Sequence, residues 1–189
     1  MDLRGRHRGR VTELPSKSDP EIAAQTFGHH LTRFFAQGRP EREDGWERIT
    51  VDPLHAVIRV PAIRADGTRD SYLVSASAEC YDAWPPQVAF VEPVEDAYRE
   101  AAPGSRWWPR QGNQPGFEFG LHPAYAYPNG ERRQLLCFSH SLDYYFSNHT
   151  PTESQRWVQG RHTVAATLRR IADVLRAPNY QGPDSGHDT

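Results

Sequence analysis

The chain is poor in cysteine, in long apolar runs and in net charge, and each shortage excludes something. Two cysteines in 189 residues, Cys80 and Cys137, cannot make a disulfide framework. Both are expected to stay thiols in a reducing compartment, which makes a cytoplasmic location the expectation. No apolar run approaches the roughly 18 residues of a membrane span. The N-terminus carries no apolar signal-peptide region, so no membrane partner is expected. Charge of one sign is missing too: 22 Lys and Arg stand against 24 Asp and Glu. That balance speaks against a nucleic-acid partner. The local exception is Arg4, Arg6, Arg8 and Arg10, alternating with Gly and His. Such an arm can contact phosphate, but it reads as a solvated tail. Internal repeats, CxxC pairs and HExxH helices are absent.

What is present suits one domain with tails. Apolar residues make up 37% of the chain, and the mean hydropathy is -0.77. The aromatic share of 11% supplies large side chains that compensate in a core. Residues 1–18 read as a disordered basic tail, 19–180 as a single domain and 181–189 as a second disordered tail.

The chain order predicts an α+β domain. Asp19-Pro20-Glu21 gives a cap, a proline at the first helical position and an early acid. A helix is predicted over 19–37, stopped by Gly38 and Pro40. Its apolar stripe is Ala24, Phe27, Leu31, Phe34 and Phe35, with His29 and His30 read as surface residues. Four strands follow, at 46–51, 55–63, 70–80 and 87–91, with Asp66-Gly67 as a hairpin turn. Tyr72, Val74, Ala76 and Ala78 share one face. Residues 92–133 read as a long irregular loop holding Trp107, Trp108, Pro109, Phe117 and Phe119. A loop that long inside a domain is usually functional, and here it is expected to be either a cover over the sheet or a partner-binding flap. One or two helical turns are expected near 139–146. Val164, Leu168, Ile171 and Leu175 then mark a second helix, over 161–176.

The stretch from Leu121 to Phe138 contains the chemistry. It opens on His122-Pro123, passes the turn Pro128-Asn129-Gly130 and ends an apolar run at Cys137. A buried cysteine is ordinarily an apolar filler, and that is the reading given to Cys80. Cys137 stands at the end of a turn-rich segment, where a fold can expose a reactive group on a rigid base.

These residues resemble the active-site region of the ubiquitin-conjugating enzymes. That family reads His-Pro-Asn, a Gly turn, an apolar pair and the catalytic Cys. Here His122-Pro123, Tyr127-Pro128-Asn129-Gly130 and Leu136-Cys137-Phe138 stand in that order. Upstream, Tyr81 to Phe90 resembles the family's Tyr-Pro-x-x-Pro-Pro-x-Val-x-Phe. Downstream, Trp157, the segment 163–175 and Ala177-Pro178-Asn179 resemble its Trp, crossover helix and Asp-Pro-Asn. The resemblance implies a fold with an N-terminal helix, a four-stranded antiparallel meander, a long active-site loop and a crossover helix. It implies thioester carriage of a ubiquitin-like protein on Cys137, an adenylating activating enzyme as donor and a target protein's amine as acceptor. No cofactor and no resident metal is implied.

Three departures qualify the match. Ala124 stands where the family has the Asn credited with supporting the oxyanion. The segment from Pro93 to Leu121 is longer than the family's. The segment after Pro178 is too short for the family's last two helices. The chain thus resembles a divergent, minimal member of the kind found in bacterial ubiquitin-like conjugation. Thioester exchange requires an accessible thiol and an oxyanion donor. Candidates for the donor are His140, His122, Asn129 and Asn148. His140 is preferred because it follows Cys137 by three residues, near enough to lower the thiol pKa. His122 is expected to brace the loop against a backbone carbonyl.

Two other classes fit the same residues. A catalytically inactive relative would bind a ubiquitin-like protein without carrying it. A zinc hydrolase would gather Cys137, His140 and His149 with His122 as ligands.

Overall fold

The computed structural model describes residues 15–36, 45–112 and 119–184. The arginine arm, Gly38, Pro40, Phe117 and residues 185–189 lie outside these. Helix α1 spans Pro20–Ala36. Its start is dictated by Asp19, whose carboxylate accepts the N–H groups of Glu21 and Ile22 at 3.0 and 3.1 Å. Ala23, Phe27, Leu31, Phe34 and Phe35 are buried. Ala23 rather than Ala24 is therefore the fully buried alanine of the stripe. His30 is not a free surface residue: its Nδ1 lies 2.7 Å from the Tyr81 hydroxyl.

The main sheet is antiparallel and five-stranded, one strand more than expected, in the order β1-β2-β3-β4-β5. The strands are β1 Glu47–Asp52, β2 His55–Ile63, β3 Arg69–Ser77, β4 Gln87–Val94 and β5 Ala97–Glu100. The β2–β3 turn closes because Gly67, at φ +85°, takes the left-handed conformation this turn needs. One face of the sheet buries Ala56, Ile58, Val60, Ala62, Tyr72, Val74, Ala76, Val88 and Phe90 together with α1. Among the described residues the other face carries a small cluster of Val57, Leu73 and Val91, with Ile49, Tyr98 and Trp107 packed on it.

The segment from 92 to 133 is not an irregular loop. It holds β5, β6 (Pro109–Gln111) and β7 (Gly120–Ala126), and β7 pairs with β8 (Arg132–Cys137). The prolines conceal this hairpin in the sequence. Proline cannot donate to a ladder, yet it is tolerated at bulges and edges. Pro123 falls in the register shift between His122 and Tyr125, on a strand with no second neighbour among the described residues. The Pro-Asn-Gly signal is the hairpin turn itself, with Gly130 at φ +88° and the Tyr127 N–H donating to the Glu131 carbonyl.

Gln134, buried in β8, docks the hairpin on the main sheet. Its Nε2 donates to the Phe90 and Ala101 carbonyls and its Oε1 accepts the Phe90 N–H, each at 2.9 Å. A polar side chain buried there is tolerated because it is fully bonded.

Helix α2 covers Leu142–Phe146 and α3 covers Val164–Val174. Leu168, Ile171 and Leu175 are all buried against α1 and the sheet. The end of α3 is fixed to β2, with the Ile63 N–H donating to the Leu175 carbonyl at 2.8 Å. Strand β9, Tyr180–Pro183, pairs with β6. Ordered structure therefore runs three residues into the segment read as a tail, because Tyr180 is tied inward. Its hydroxyl donates to Asp70 at 2.7 Å and lies 2.7 Å from the Tyr72 hydroxyl.

Candidate functional site

Strand alternation decides what surrounds Cys137. On the β7–β8 hairpin Gly120 pairs with Cys137 and His122 with Leu135, so these four share a face. Gly120 leaves room there. A Cβ at that position would lie 2.9 Å from His122 Nε2 and 3.6 Å from Cys137 Cβ. The missing side chain lets the imidazole and the cysteine border one space. The neighbouring residue, Phe138, faces the main core.

Cys137 is only 8% exposed and clusters with Tyr127 and Leu135, while Tyr125, Tyr144 and Phe146 pack on the outside. Burial pushes its thiol up to about 11. The thiol is therefore protonated at neutral pH and needs a proton acceptor before it attacks. The ring of His122 lies edge-on to Tyr125 at 5.7 Å. Burial, with His149 adding a smaller share, holds its pKa below the usual imidazole value. His122 is thus held toward its neutral form, on the same face of the hairpin as Cys137.

Asn148 is exposed, and its backbone N–H donates to the Tyr125 hydroxyl at 3.4 Å. This loop brings His149 over the same face, stacked on Tyr144 at 5.4 Å and tilted toward Tyr125 at 5.9 Å. Asn129 sits in the hairpin turn, where its side chain accepts the Glu131 N–H at 3.1 Å. That places it at the opposite end of the hairpin from Cys137. Ala124, at the family's Asn position, is exposed on β7.

His140 is not brought to Cys137. Its ring lies on the Phe138 side, 4.8 Å from His162, 5.8 Å from Trp157 and 6.4 Å from Phe138. Its Nε2 is buried without a partner. Burial first, then His162 and Arg170, push its pKa down to about 4. The strand ends at Cys137, and a turn closed by the Ser141 N–H on the Phe138 carbonyl at 3.0 Å carries the half-buried His140 toward Trp157 and His162. Beyond His140 a cleft of roughly 440 Å³ opens between Ser139, Tyr144 and Arg170.

No protein-family model matches the chain, and no curated protein matches it. Among the described residues no group of three or more His, Cys, Asp or Glu side chains is gathered as a metal site. With His140 turned away, the zinc reading loses its ligand set. Among the described residues no helix is long and apolar enough to cross a membrane.

Gly120, Tyr125 and Tyr144 escaped the sequence reading, and His149 entered it only as a zinc ligand. The signal for Tyr125 was present, since Tyr125 and Tyr127 keep the two-residue period of a strand. Pro123 and Pro128 hid it.

Proposed function

We propose that the chain carries a ubiquitin-like protein as a thioester on Cys137 and passes it to an amine, as the ubiquitin-conjugating enzymes do. The observation that carries this is that His122 and Cys137 share one face of the hairpin, diagonal to each other, with Gly120 opposite Cys137. The order of helix, antiparallel meander, hairpin and α3 is compatible with that family. In the first step His122 takes the thiol proton and Cys137 sulfur attacks the carbonyl of a donor thioester. The donor's thiolate leaves and takes up a proton. In the second step a target amine attacks the new thioester, Cys137 leaves as thiolate, and the amine's surplus proton returns to it. Both steps exchange one acyl bond for another and need no external base beyond the imidazole. The donor is an adenylating activating enzyme and the acceptor a target protein.

The test is loading by a co-encoded activating enzyme and modifier. Cys80→Ser is expected to load as wild type does, giving an adduct labile to thiols. Cys137→Ser is expected to give a thiol-stable ester. A thiol-labile adduct that persists in Cys137→Ser, or an adduct that disappears in Cys80→Ser, sinks the proposal.

A second reading is favoured by one observation: the thiol is 8% exposed and shifted to about 11. In that reading the domain binds a ubiquitin-like protein without carrying it. Equal affinity for the modifier in Cys137→Ala, with no adduct in wild type, would select it.

A further inference from the structure

The segment from Tyr144 to His149 has two halves held very differently. Its root in α2 is fixed to the body. Asp143 is buried and its carboxylate accepts from Arg133 and, at 3.2 Å, from Gln87. Leu142 donates to the Pro86 carbonyl at 3.1 Å, and the Tyr145 hydroxyl donates to the Ser139 carbonyl at 3.0 Å. Past Phe146 the character changes. Asn148, His149 and Thr150 are exposed. They meet the hairpin through the Tyr125–His149 ring contact and one long hydrogen bond from Asn148 to the Tyr125 hydroxyl. Internally the turn is held by Ser147, whose hydroxyl donates to the Tyr144 carbonyl at 2.7 Å and lies 2.9 Å from His149 Nδ1. Tyr144 and Phe146 pack on the cluster that holds Cys137, and His149 stacks on Tyr144.

We propose that this segment is a strap over Cys137, latched to the hairpin by His149 and Tyr125, which must lift before the thiol can react. It rests on the thioester reading in taking Cys137 as the thiol that matters. A local opening of this kind draws on the least stable part of a fold: exposed backbone, few buried apolar contacts and weak ties. Leu142, Asp143 and Tyr145 anchor α2, its Tyr144 and Phe146 rings provide the cover, and the His149 stack holds Tyr144 against the cluster of Cys137. The strap also gives Tyr144 two neighbourhoods, since the same ring lines the cleft beside Ser139 and His140. An acyl donor that docks there would meet the hinge side of the latch.

The experiment is site-resolved alkylation of the native chain by iodoacetamide, with Cys80 as the internal standard. Cys80 is 7% exposed, close to the 8% of Cys137, and it lies outside the hairpin. In wild type Cys137 is expected to react far more slowly than a free thiol. In His149→Ala, and in His149→Ala combined with Tyr125→Phe, it is expected to react about tenfold faster, the size of losing one aromatic contact. Cys80 should keep its wild-type rate. An unchanged Cys137 rate in both variants overturns the strap. So does a parallel rise at Cys80, which would mean general loosening. So does a wild-type Cys137 that already reacts as a free thiol. Alkylation needs no modifier or activating enzyme, so failure here leaves the thioester proposal standing, and failed loading leaves the strap standing.

Discussion

His122 and His140 are both partly buried, both held neutral by burial, and both within a few residues of Cys137 in the sequence or across the ladder. One shares the hairpin face of Cys137 and the other packs against Trp157 and His162. Strand geometry makes the difference. Across an antiparallel ladder, register decides which side chains meet; along a strand, neighbours point apart. His122 shares the face of Cys137 because it lies two residues from that cysteine's ladder partner, Gly120. His140 is lost to it because the chain passes Phe138 before turning into α2. Closeness in sequence is therefore a poor guide to a site that is built on a hairpin.

The core side of this contrast is where the largest loss is expected. Leu168 is fully buried between α1 and the sheet. Leu168→Ala should destabilise the fold by about 2–5 kcal/mol, the cost of a core cavity. Chemical denaturation read by tryptophan fluorescence measures it. A loss below about 1 kcal/mol would mean that the helix does not seal the core.

Much of that side was legible in the sequence. The stripe Leu168, Ile171 and Leu175, the cap at Asp19 and the alternation in β2 and β3 each follow a period that local geometry imposes. The hairpin side was not legible in the same way. Pro123 broke the alternation of β7, and only the tertiary ladder shows that a bulge absorbs it. Gln134 reads as a surface polar residue until Phe90 and Ala101 supply its partners, 44 and 33 residues away. β9 reads as tail because its reason for ordering, the Tyr180–Asp70 bond, spans 110 residues. Cys137 and His122 are recognisable by type; that they share one face follows only from the ladder.

Acid should separate the two histidines next. His140 has its folded pKa lowered to about 4 from an ordinary 6.5. The unfolded chain therefore binds its proton more readily. Stability is complete above about pH 6.5 and falls as pH drops toward 4, because the unfolded state gains protons that the folded state refuses. The full loss from this residue is at most roughly 3 kcal/mol, from a shift of that size. His140→Gln should flatten that limb of the curve of stability against pH. An acid limb as steep in His140→Gln as in wild type would show that His140 does not carry it.

The smallest effect is also the sharpest division between the two sides, because it concerns rate alone. If His122 is the proton acceptor for Cys137, His122→Gln should slow loading of the thioester by about 10²-fold, the lower end for a lost general base. That corresponds to about 2.7 kcal/mol of barrier. Raising the pH should restore part of the rate, because hydroxide then replaces the imidazole as the acceptor for a thiol near 11. His140→Gln should load at the wild-type rate at neutral pH, since its ring faces Trp157 and His162 and is already uncharged. The measurement is single-turnover loading at several pH values for both variants. If His140→Gln slows loading and His122→Gln does not, the face of the hairpin has been assigned to the wrong histidine. If both load normally, the proton leaves by another route, and His149, on its stack with Tyr144, becomes the next base to test.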